Sequence, residues 1–321
     1  ITSCLVGSEM CIRDSTEGNG TDDTLVLADL KDLTITTASA NANITLPNID
    51  GTAGDGNDGT DLTILAGTGN VSVKSIDTDI NDLRIDGTTI TLTGDITTAA
   101  HNPGSADAAS IDINGAAVIG AGITVTSGNG TVDFSGAVNS DSGENRALTI
   151  VSGSGAAAIN GTVGANDALG NLTINAAGTG AITLSTVGAD AAAGAAVLAI
   201  GNADTSSLTL SGVDYHSAAN AQTYTADAFL ITGTDPTFTT ANAAIKFVDG
   251  ASSDIVLSDA ADLTIRTSNG LIDIEPEIIG TADGANTSVT LNAGSGNIVL
   301  DNTGTGVIHT DIGAVSLTST G

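Results

Sequence analysis

The amino-acid sequence predicts an all-β fold, a parallel β-helix (β-solenoid) of about 13 coils with 20–30 residues per coil. Three observations carry that expectation. Short apolar-polar-apolar triplets recur along the chain, their leading residues fall at a loose common spacing, and turn-forming punctuation separates them.

The triplets run in order from Leu33-Thr34-Ile35 and Ile44-Thr45-Leu46 through Leu62–Ile64, Leu83–Ile85 and Ile90–Leu92. They continue with Ile111–Ile113, Ile123–Val125, Val132–Phe134, Leu148–Ile150, Leu172–Ile174, Ile182–Leu184 and Leu208–Leu210. Ile255–Leu257, Leu263–Ile265, Val289–Leu291 and Ile298–Leu300 complete the series. Strand side chains alternate between faces, so each triplet sends its outer pair one way and its middle residue the other. The outer pair is apolar and the middle residue is most often Thr, which marks one buried and one wetted face. Leading residues lie 29 apart from Leu33 to Leu62, 21 to Leu83, 24 from Leu148 to Leu172 and 26 from Leu263 to Val289. Segments such as GTGN, SGNG and NAGSG supply the corners. Two-residue hairpin signals do not stand systematically between successive triplets, which disfavours an antiparallel sandwich. Only Ala189–Ile200 has a helical composition, and Gly194 interrupts it. At ~24 residues per coil and ~4.8 Å per rung, the solenoid is a rod ~60 Å long.

Residues 1–15 do not share this pattern. They hold both cysteines, Cys4 and Cys11, and the only methionine, Met10. Leu5–Asp14 reads back as the codons CTC GTG GGC TCG GAG ATG TGT ATA AGA GAC, a string that resembles the transposon-end adapter of sequencing libraries. These residues are therefore expected to be foreign to the protein. Residues 16–321 are expected to form one continuous solenoid, a fragment cut at both ends.

Composition narrows the functional classes. The formal net charge is −30, with 7 Lys and Arg against 37 Asp and Glu. Without Glu9, Arg13 and Asp14 it is −29, from 6 basic and 35 acidic residues. Nucleic acids and anionic membranes bind through Lys and Arg, so neither is an expected partner. No apolar run approaches the ~20 residues of a membrane-spanning helix.

Val132–Gly188 and Asn220–Gly250, above all the phrases ALGNLTI and AQTYTADAFLI, resemble the repeats of large bacterial surface proteins of the filamentous-haemagglutinin type. That resemblance implies a secreted, extracellular protein at the bacterial cell surface. Its work would be adhesion or mechanical support, and its partner a ligand on a host or neighbouring cell. No catalytic residue carries over, so no enzyme activity and no obligatory cofactor are expected. The alternatives are a coat or filament repeat and, third, a β-helix enzyme that degrades polysaccharide.

Candidate sites are few. AGDGNDGTDL, Ala53–Leu62, resembles the calcium-binding nonapeptide of repeats-in-toxin proteins, with Asp55, Asp58 and Asp61 as oxygen ligands. An acidic corner exposed to solvent explains the same residues. Carboxylate pairs could serve glycoside hydrolysis, but Asp is so frequent that chance pairs are expected. Tyr215-His216 reads as a surface loop pair. His101 and His309 are isolated, and Arg84, Arg146, Lys246 and Arg266 read as solvent-facing residues or Asp partners. Outward Thr would form a regular array, were it not broken at Arg84, Asp112 and Asp133.

Overall fold

The computed structural model describes residues 24–27, 32–51, 59–77, 79–99, 109–175, 177–188, 194–218, 220–250, 254–259, 261–281, 287–300 and 312–320. Over these residues the chain winds as a parallel β-solenoid with three faces and no helix. Every strand pairing is parallel, and every expected triplet is a strand or part of one.

On the first face, ten successive pairings link Leu33, Leu62, Leu83, Ile111, Val132, Ala157, Ile182, Leu208, Phe229, Ile255 and Ile278. The second face carries the column Ile44, Val71, Ile90, Ala117 and Val138, then narrows to single bridges at Val163 and Val187. It widens again at Tyr215, Phe238, Ile265, Leu291 and Leu317. A third face runs from Leu25 through Ile49, Ile76, Ile96 and Val125 to Ile150, Ile174, Ile200, Tyr224, Phe247, Ile274 and Leu300. Ten intervals of ~4.8 Å make the described first face ~48 Å long. That is about ten turns rather than 13, because dividing chain length by coil length also counts residues that lie outside these rungs.

The core is the set of inward columns. Leu62, Leu172, Ile174 and Ile265 are fully buried, whereas the middle residues Thr63, Thr173 and Thr264 stay partly exposed. Apolar side chains stacked at strand spacing bury one another, so each coil is stabilised by its two neighbours and not by a core of its own. At the last described rung Val315 and Leu317 continue the inward columns with a neighbour on one side only, and both are about half exposed.

All six aromatic side chains lie inside. Tyr215, Tyr224, Phe229, Phe238 and Phe247 form one cluster in which Tyr215 stacks on Phe238 at 4.5 Å and Phe229 meets Phe247 edge-on at 5.7 Å. Phe134 is buried separately. The cluster's polar atoms are satisfied within the core. Tyr215 Oη donates to Leu184 O (3.0 Å) and accepts from Gly212 N, while Tyr224 Oη donates to Gln222 Oε1 (3.0 Å). Gln222 Nε2 in turn donates to Tyr215 O and Thr239 O.

Candidate functional site

The outward column of the first face reads Thr34, Thr63, Arg84, Asp112, Asp133, Ala158, Thr183, Thr209, Leu230, Val256 and Ile279. The three residues that interrupt the Thr pattern in sequence are thus neighbours on consecutive rungs. Arg84 forms an ion pair with Asp86, its Nη2 2.9 Å from Oδ2. Asp86 Oδ1 also accepts from Asn114 Nδ2 at 2.9 Å. Asp112 lies in register between Arg84 and Asp133, and Asp133 Oδ1 accepts from Asn160 Nδ2 at 2.6 Å. Partial burial, followed by the charge of Asp112, raises the Asp133 carboxyl above the ordinary carboxylate value, and the Asn160 hydrogen bond opposes that shift. Its hydrogen bond to Asp86 raises Arg84. Together these residues form a polar patch in which the Asp112 and Asp133 carboxyl groups stand on adjacent rungs beside the Arg84–Asp86 ion pair.

A second use of Asp repeats along the corner that precedes the first face. Asp32 Oδ1 accepts from Asp61 N (3.3 Å), Asp61 Oδ1 from Asp82 N (3.2 Å) and Asp82 Oδ1 from Ser110 N (2.7 Å). The device returns at a later corner, where Asp235 accepts from Asp262 N (3.3 Å) and Asp262 from Ser288 N (2.8 Å). Each carboxylate reaches across one rung to a backbone N–H that the ladder leaves open, so it closes the corner of the next coil. Asp61 stands in this ladder, and its Oδ1 also accepts from Asn81 Nδ2 at 3.3 Å. Asp55 and Asp58, the other two expected calcium ligands, lie outside the described residues. Among the described residues no group of three or more His, Cys, Asp or Glu side chains is placed to hold a metal ion.

Tyr215 corrects the sequence reading. It is fully buried in the aromatic cluster and not on a surface loop. The pattern Asp214-Tyr215-His216 is the outward-inward-outward alternation of a strand, a signal present in the sequence. Burial lowers the His216 imidazole, with Asp214 opposing. His101 and His309 lie outside the described residues. Of the four basic residues singled out in the sequence, three have acidic partners: Arg84 has Asp86, Arg146 has Asp141 (3.1 Å) and Lys246 has Asp273 (2.9 Å). Arg266 is exposed on its strand.

Comparison with known proteins yields no matching family model, no matching curated protein and no matching solved structure. The fold therefore defines the class, a parallel β-solenoid repeat protein.

Proposed function

We propose that the chain is a structural segment of a long secreted bacterial cell-surface protein, a rigid stalk or adhesin that holds binding surfaces away from the cell and performs no catalysis. The observation that carries this reading is the continuity of the three inward columns. Over the described residues the inward side chains stack rung on rung with the same polarity, so the solenoid extends in one direction. Outward Thr and Asp keep most of such a rod's first face hydrated.

The test is where the protein is found. Antibodies raised to the purified chain should label intact, unpermeabilised cells of the producing bacterium, and external protease should remove the label. Labelling that appears only after permeabilisation overturns the proposal.

A polysaccharide-cleaving enzyme is the second reading, favoured by the adjacent Asp112 and Asp133 with Arg84 beside them. It requires release of reducing ends from a polysaccharide panel, lost in Asp112→Asn. The interior position of every aromatic residue weighs against it, since no ring is left outside to stack on a sugar.

A further inference from the structure

The outward column of the first face changes character at its far end. From Thr34 to Thr209 its residues are Thr, Arg, Asp or Ala, and the next three rungs carry Leu230, Val256 and Ile279 in direct register. Thr satisfies strand propensity and hydration together, as it does at Thr183 and Thr209, so propensity alone does not ask for aliphatic residues here. Leu230 is 40 % exposed, and Val256 and Ile279 are partly exposed. At ~4.8 Å per rung the three make one continuous apolar strip ~10 Å long. Two residues before Val256 and Ile279, on the same strands and therefore on the same face, stand Asp254 and Glu277. Asp254 pairs in register with Glu277, so one flank of the strip carries two adjacent carboxylates.

We propose that this strip is a docking surface for a basic polypeptide segment that bears aliphatic side chains at alternate positions. Charge selects the partner. With a formal charge of −30, a second copy of the chain is repelled on approach, whereas a Lys-rich segment is drawn to Asp254 and Glu277 while its aliphatic side chains cover Leu230, Val256 and Ile279. Behind the strip Phe229, Ile231, Ile255, Leu257 and Ile278 are buried, so the surface is held in shape before the partner arrives. The proposal goes beyond the stalk reading and does not depend on it.

Fluorescence anisotropy at physiological salt tests it with two labelled peptides of equal charge, one alternating Lys and Val and one alternating Lys and Ser. The full chain should bind the Lys-Val peptide roughly tenfold more tightly than the Lys-Ser peptide. Leu230→Thr/Val256→Thr/Ile279→Thr should erase that preference while retaining the circular dichroism spectrum and melting of the parent, because Thr already occupies this column at Thr183 and Thr209. Asp254→Asn/Glu277→Gln should weaken Lys-Val binding more than the charge-matched Asp112→Asn/Asp133→Asn. Equal binding of the two peptides, or a Lys-Val preference that survives the triple substitution, overturns the proposal. So does self-association of the parent chain that the triple variant loses, since the occupant would then be a second copy.

Discussion

At the residue scale, this protein separates two jobs of the same side chain by position. Asp at a corner closes the backbone of the following coil, as Asp32, Asp61 and Asp82 do, and Asp in mid-strand faces water, as Asp112 and Asp133 do. The corner job is written in the sequence as Asp-Leu-Thr-Ile at residues 32, 61 and 262 and Asp-Leu-Arg-Ile at 82. Here the Asp stands immediately before the inward Leu, and its side chain spans a single rung. The alternation within a triplet makes a direct prediction. Leu172 and Ile174 are fully buried among stacked apolar neighbours, and Thr173 between them points outward beside Thr149 and Ala199. Leu172→Asp or Ile174→Asp places a carboxylate where nothing can solvate it and should cost about 3 kcal/mol or more in urea unfolding, whereas Thr173→Asp should cost about 1 kcal/mol or less. Equal losses at the three positions would refute the inward-outward assignment.

At the element scale, strands were legible wherever a β-branched or Leu pair flanked a polar residue. They were obscure where the inward residue is small or solitary, as at Ala157, Val163 and Val187. Register was harder still. Successive rungs of the first face are separated by 28 residues from Leu83 to Ile111 and only 21 from there to Val132, so which outward residues become neighbours depends on corner length and not on strand pattern. That is why Arg84, Asp112 and Asp133 read as interruptions in sequence and become a patch in the fold. Corner length is in turn limited by close approach of stacked backbones. A Cβ on Gly136 would sit 2.3 Å from Gly115 O and 2.5 Å from its carbonyl carbon, and one on Gly161 would sit 2.2 Å from Gly136 O. Gly122, at another corner, has nothing within 4 Å of the same position. Gly136→Ala should therefore destabilise by about 2 kcal/mol or more, because two backbones must separate, while Gly122→Ala should be neutral within about 0.5 kcal/mol. Thermal melts of the two single variants check the difference, and a neutral Gly136→Ala would show that the corner can open.

At the scale of the whole molecule, stability that resides between neighbouring coils makes the coil a removable unit. Ala157 pairs with Ile182, Val163 with Val187 and Leu172 with Leu198, so residues 157–181 supply one rung to each of the three faces. Deleting them joins Ala156 to Ile182 and brings Val132 opposite Ile182, Val138 opposite Val187 and Leu148 opposite Leu198. Each of these new contacts is apolar and in the parental register, and Gly201, which follows Ile200 as Asn175 follows Ile174, takes the position of Asn175, so the bond that Asn175 Oδ1 accepts from Ser152 N at 2.7 Å is lost. The shortened chain should fold with the same β circular dichroism and lose ~4.8 Å of length in small-angle scattering. Deleting only residues 157–168 removes part of a coil and brings Leu169, which belongs to the third face, into the first-face position of Ala157. Inward columns then meet outward ones, and this chain should fail to fold although it has lost fewer residues. A globular domain with a single shared core would respond the opposite way, tolerating the smaller deletion better than the larger. Failure of the 157–181 deletion alongside survival of the 157–168 deletion would therefore overturn the additive solenoid account.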